Sequence, residues 1–241
     1  MKHTGKLALL VALIGVLGVA FLLFGARLGL WEPTTGFGLY RTYLNPLGLT
    51  VAGLGALALV IHLIRKEKRG TVLGSVALLV GLVILTPLIA GSLNPPRRAP
   101  PIHDISTDTA NPPAFEVLDD SRAGARNSLE YGGSEVAEIQ AISYPDIAPL
   151  KTGLAADAAY ERALAVAQDM GWDIIVSDTE RRRFEATART SVFYFADDVA
   201  LVVTRQGDGS RVDMRSVSRV GRSDQGVNAA RIRDFQQRFD G

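Results

Sequence analysis

Three stretches without a charged side chain, residues 7–26, 46–64 and 71–93, constrain this chain more than any other feature in it. Each meets the roughly 20 apolar residues that an α-helix needs to cross hydrocarbon. The expectation is a three-helix transmembrane anchor over residues 1–93. A cleaved signal peptide fits the first stretch poorly, because its apolar run is longer than the usual 7–15 residues and Gly25-Ala26 is a weak cleavage site. Within the spans His62 is the only strongly polar side chain, and its place near a helix end predicts an interfacial position. Ala52 and Ala56, and likewise Ala77 and Gly81, recur at a spacing of four and would let helices approach closely.

Basic residues near the span ends set the expected direction, since Lys and Arg are retained on the cytoplasmic side. Lys2 and Lys6 precede the first span, and Arg65, Lys66, Lys68 and Arg69 fill the second loop. They oppose Arg27 and Arg41 in the first loop and Arg97 and Arg98 after the third span. The expected topology is a multi-pass protein of the bacterial inner (plasma) membrane, N-terminus cytoplasmic and C-terminal domain periplasmic. Trp31, Tyr40 and Tyr43 fit an aromatic belt at the outer surface.

Charge divides the chain at the same place. Residues 1–93 hold eight Lys and Arg against Glu32 and Glu67, a net +6, while residues 94–241 hold 18 against 23 acids, a net −5. A domain at −5 is unsuited to neutralising phosphates, so nucleic acid is excluded as a partner. Cysteine is absent, which rules out disulfides, thiolate catalysis and cysteine-ligated metal.

Residues 94–101, Asn-Pro-Pro-Arg-Arg-Ala-Pro-Pro, cannot be helical and predict a stiff spacer. Residues 102–241 then form one soluble α+β domain. Its first part, 102–155, is punctuated by Pro112-Pro113, Gly132-Gly133, Pro145 and Pro149, and is expected to be extended and wrapping, with short strands. The spacing of Tyr160, Ala163, Leu164, Ala167 and Met170 predicts an amphipathic helix over 156–170 that Gly171 ends. Strands follow at 172–177 and 182–195, with Asp197-Asp198 expected to turn the chain. Residues 199–205 and 211–220 pair around the hairpin Gly207-Asp208-Gly209. Along the return strand Val212, Met214, Ser216, Ser218 and Val220 share one face and Arg211, Asp213, Arg215 and Arg219 the other. A last helix over 225–239 aligns Ile232, Phe235 and Phe239. The expected architecture is an antiparallel β-meander flanked by two helices.

Two clusters bear polar chemistry. In the first, Arg215, Arg219, Asp224, Asn228 and Arg231 cross from strand to helix. Ser223 or Asp224 can cap the helix, and Asn228, in line with Ile232, should point inward and require partners. Such a set reads as a structural hydrogen-bond network, or as a grip on a small anionic ligand at a helix N-terminus. In the second, His103, Asp104 and Asp108 lie among hydroxyls in Ile102-His-Asp-Ile-Ser-Thr-Asp108. Imidazole and carboxylate make acid–base chemistry conceivable, whereas capping and turn formation are the commoner uses of these residues. A lone histidine without cysteine is a poor metal set, so no metal is expected. The Asp197-Asp198 pair reads as a solvated turn rather than a cation site. No nucleophile elbow, phosphate loop, zinc helix or dinucleotide fingerprint occurs, and no cofactor is called for.

These stretches also carry a resemblance. Ile102–Asp108, Pro112-Pro113-Ala-Phe115, Tyr144-Pro-Asp-Ile147, Pro149-Leu150, Glu185-Ala-Thr187, Phe193-Tyr-Phe195 with Asp197-Asp198, and Val212-Asp213 through Arg231-Ile232 resemble a bacterial member of the domain of unknown function 1499 family. The resemblance covers about residues 100–240 and implies one domain there, but no reaction. Many members carry a cysteine after the first motif, where residues 121–128 here have none. The expected function is binding or structural, in the cell envelope, with the lipid bilayer and an envelope protein or small anion as partners. The alternative is an envelope hydrolase or transferase using His103 with Asp104 or Asp108.

Overall fold

The computed structural model describes residues 3–95 and 99–241. Lys2 of the N-terminal basic pair and residues 96–98 of the expected spacer, with Arg97 and Arg98, lie outside the described residues. The chain divides into two compact units, Met1–Arg97 with Ser191–Tyr194, and Arg98–Thr190 with Phe195–Gly241.

The first unit is helical: α1 Thr4–Phe24, α2 Pro33–Ile64, α3 Lys68–Ile84 and α4 Thr86–Leu93. Two of these, α1 and α2, are long and apolar enough to cross a membrane. The third expected span is broken, because α3 and α4 meet at a 55° bend. Pro87 stands in the first turn of α4, where its missing N–H costs nothing, but it could not continue α3. α2 also departs from expectation by starting at Pro33, well before residue 46. Pro46 sits inside the helix, and the Thr50 hydroxyl bonds its carbonyl at 2.8 Å.

Small residues bring α2 and α3 together backbone to backbone. A Cβ on Gly81 would lie 2.3 Å from the Ala52 nitrogen, and one on Gly55 would lie 2.3 Å from that of Leu78. Ala52, Ala77 and Gly81 of the expected small-residue rows are thus buried in the seam, and Ala56 only partly.

The second unit is built on an antiparallel sheet in the order β1 (Asp104–Ser106), β6 (Gly209–Ser218), β5 (Ala196–Gln206), β4 (Arg183–Arg189), β3 (Asp173–Asp178). β2 (Leu150–Thr152) shares the outer edge of β6 with β1. Helices α6 (Ala156–Asp169) and α7 (Val227–Asp240) lie on one face, as expected. The core between them includes Tyr160, Phe184, Leu201, Met214, Ile232 and Phe235. A further helix, α5 (Gly133–Ser143), occupies a stretch expected to be extended. Its one buried side chain, Gln140, bonds both the Ser106 N–H and the Ser106 carbonyl, so β1 holds it in place.

The opposite face of the sheet carries charge where solvent would be expected. Arg183, Glu185 and Thr187 from β4, Asp198 from β5, and Asp213 and Arg215 from β6 are all buried. Residues 107–131 cover them, bonding Thr107 to Asp213, the Ala114 carbonyl to Arg183 and Arg122 to Asp198. The wrapping segment expected from its prolines and glycines is therefore a lid over a polar sheet face.

The Asp197-Asp198 pair is not a turn. Both residues lie inside β5, and alternation along the strand sends their carboxylates to opposite faces, where both are buried. The turn signal failed because arginines on the neighbouring elements supply what solvent would otherwise supply.

Candidate functional site

On the helical face, Asn228 is fully buried in the first turn of α7. Its Oδ1 accepts from the Ser216 hydroxyl at 2.7 Å, and its Nδ2 donates to the Ser218 hydroxyl and the His103 carbonyl, each at 2.9 Å. Arg231, one turn on, donates to Ser216 at 2.9 Å and closes an ion pair with Asp197 at 2.5 Å. Asp224 caps α7 by accepting from the Gly226 N–H at 3.0 Å and the Asn228 N–H at 2.8 Å. Burial pushes the Asp224 carboxyl above its usual range, against those two N–H bonds.

On the lid face, Arg215 forms a two-point pair with Asp104, Nε to Oδ1 at 2.9 Å and Nη2 to Oδ2 at 2.6 Å. Its guanidinium also donates to the Leu129 carbonyl at 2.7 Å and lies over the rings of Phe115 and Tyr131, each 5.3 Å away. Burial holds the Asp104 carboxyl above its usual range, an effect that Arg215 only partly offsets. Asp198 accepts from Thr187 at 2.9 Å, from Arg219 at 2.8 Å and from Arg122 at 2.5 Å, so two guanidinium groups share one buried carboxylate. Glu185 accepts from the N–H groups of Glu116, Val117 and Leu118, which pins the middle of the lid.

The first sequence cluster is thereby divided. Asp224, Asn228 and Arg231 meet on the helical face, and Arg215 and Arg219 lie across the sheet from them. The second cluster joins both halves. Asp104 belongs to Arg215, and Asp108 pairs with Arg211 at 2.6 Å while accepting from the N–H groups of Ala110 and Asn111. Those backbone bonds, first that of Asn111, hold the Asp108 carboxyl below its usual range. His103 is half-buried and enters the network through its carbonyl, which accepts from Ser218 and Asn228.

Sequence reasoning placed none of Arg122, Arg183, Glu185 or Thr187 in a site, although Glu185 and Thr187 stand in a motif that carries the resemblance. One signal for three of them was present, the alternation Arg183-x-Glu185-x-Thr187, which places polar groups opposite the core. A cavity of about 400 Å³ opens on this face beside Asp108, Asn111, Thr204, Arg205, Arg211 and Asp213, without His103. Among the described residues no group of three or more His, Cys, Asp or Glu could hold a metal ion. Among the described residues the buried Tyr131 hydroxyl has no hydrogen-bond partner, and burial pushes its pKa up to about 12.

The chain thus combines apolar helices that fit a membrane anchor with an antiparallel α+β unit under a salt-bridged lid. Residues 104–239 match the family described as "Protein of unknown function (DUF1499)", and the chain belongs to it. No curated protein matches the chain.

Proposed function

We propose that this protein works by binding rather than by catalysis, presenting its α+β domain in the periplasm of a bacterial cell from a three-span inner-membrane anchor. In this reading α3 and α4 together make the third span. The basic residues Lys6, Arg65, Lys66, Lys68 and Arg69 support a cytoplasmic N-terminus. The observation that carries the binding reading is the pairing of Asp104 with Arg215 and Asp108 with Arg211, which engages both carboxylates that acid–base chemistry with His103 would need.

Arg215, Arg219, Asp224, Asn228 and Arg231 serve this function by holding the lid and α7 in one shape. That shape is what an envelope protein would recognise, and a small anion reaching Arg219 would compete with Asp198. Two measurements test the reading. An alkaline phosphatase fusion at Gly241 is expected to be active, and an inactive fusion alongside an active cytoplasmic reporter would reverse the orientation. In thermal melts, Arg219→Ala is expected to abolish any stabilisation by small anions that the parent protein shows. If no anion stabilises the parent, direct anion binding by these residues is ruled out.

A further inference from the structure

The geometry points to a binding site for the phosphate of an anionic phospholipid headgroup at the end of the helical unit where α1 and α3 begin. A cavity of about 340 Å³ there is lined by Lys6, His62, Glu67, Lys68, Arg69 and Gly70. It stands where the apolar stretches end, at the level that headgroups occupy beside a membrane-spanning helix.

A buried clamp builds this cavity. The imidazole of His62 is buried, and its Nε2 accepts the Gly5 N–H at 3.2 Å. A backbone N–H can only donate, so Nε2 is the bare nitrogen and Nδ1 carries the proton, which it gives to Glu67 Oε2 at 2.7 Å. The Thr4 hydroxyl also bonds Nε2, at 3.0 Å. Gly70 lies flat on the ring, since a Cβ there would fall 2.2 Å from it. One side chain thus ties the start of α1 to the end of α2 and the turn into α3.

The charge left facing the cavity is positive. His62 occupies the Glu67 carboxylate, while Lys6, Lys68 and Arg69 have no carboxylate partner among the described residues. α3 begins without a side-chain cap from its N-cap residue Glu67, so its N-terminal N–H groups and the positive end of its dipole add to the same field, whereas the Gly5 N–H of α1 is taken by His62. Leu73 supplies an apolar edge for the glycerol backbone and first methylenes of a lipid. Basic pockets between membrane helices hold anionic headgroups by this combination. A free phosphate ion shares the chemistry but gains nothing from the apolar edge.

The test uses the full chain in detergent, titrated with phosphatidylglycerol, phosphatidylcholine or inorganic phosphate, with bound lipid counted by native mass spectrometry. Saturable binding of phosphatidylglycerol is expected, weakened about tenfold or more in Lys6→Gln/Lys68→Gln/Arg69→Gln and preserved in Lys6→Arg/Lys68→Arg/Arg69→Lys. Lys66→Gln, which removes the same charge from the same loop outside the cavity, is expected to change binding by less than about twofold. Arg69→Gln alone, on an exposed side chain, keeps the test readable should the triple variant lose its helical circular dichroism, and about a fivefold loss is expected. Equal binding of the two lipids, undiminished binding by the variants, or inorganic phosphate bound where phosphatidylglycerol is not would each overturn the site.

Discussion

Arg215 holds Asp104 through two parallel hydrogen bonds across 111 positions of sequence, and both side chains are buried. One residue comes from the stretch that looked like an acid–base cluster and the other from the stretch that looked like an anion grip. Each is the principal partner of the other. Removing one member of a buried pair strands the charge of the other, at a cost of about 3–5 kcal/mol. Asp104→Ala is therefore expected to lower stability by about that amount in urea unfolding followed by circular dichroism. The double variant Asp104→Leu/Arg215→Met should lose less than the single one, because it strands no charge. A double variant as unstable as the sum of its parts would show that the pair itself matters little.

Asp198 is the more exacting case, with Arg122 and Arg219 on one fully buried carboxylate. Asp198→Asn is expected to cost about 3 kcal/mol or more and to loosen residues 107–131. Asp208→Asn, in the exposed β5–β6 turn, should stay within about 0.5 kcal/mol. Amide hydrogen exchange provides the readout, with faster exchange at Glu116–Leu118 in Asp198→Asn alone. Equal protection in the two variants would mean that Glu185 alone secures the lid.

Gly81 and Gly53 offer a paired test of the helical unit. A Cβ on Gly81 meets the Ala52 backbone, whereas one on Gly53 meets nothing within 4 Å. Gly81→Ala should lower the melting temperature of the protein in detergent. Gly53→Ala should leave it unchanged or raise it, since Ala favours a helix by about 1 kcal/mol over Gly. Similar melting of the two variants would mean that α2 and α3 do not pack closely.

Asp108 gives a pH dependence of definite sign. Its carboxyl is held below the usual range by the N–H groups of Asn111 and Ala110 and by Arg211. The stabilisation is therefore present above the unfolded-state value, about 3.9, and is lost as pH falls through the lower folded-state value. Asp108→Asn should be less stable than the parent at pH 7, with the difference shrinking below about pH 4. A difference that stays constant between pH 7 and pH 3 would mean that ionisation of Asp108 contributes nothing.

Much of the fold was legible because it rests on local periodicity. The helix at 156–170, the hairpin at Gly207-Asp208 and the split of β6 into Val212-Met214-Ser216 against Arg211-Asp213-Arg215 all follow from which residues must leave water. The inward Asn228 was legible for the same reason, since it shares a stripe with Ile232. α5 was not, because its one buried side chain is the polar Gln140 and only Val136 and Ile139 pack beside it against the core. The start of α2 was missed because Pro46, read as a boundary, is accommodated inside the helix.

By itself, the sequence determined that the chain has an apolar helical part and a charged α+β part, since the transfer of residues out of water depends on composition and spacing along the chain. It could not determine what the charged residues do. Asp104 meets Arg215 only once β1 pairs with β6, and Asp198 meets Arg122 only once residues 107–131 fold over the sheet, and these pairings turn an apparent solvent face into a buried one. Burial raises the cost of an unpaired charge and so selects the partner, and burial is a property of the tertiary structure.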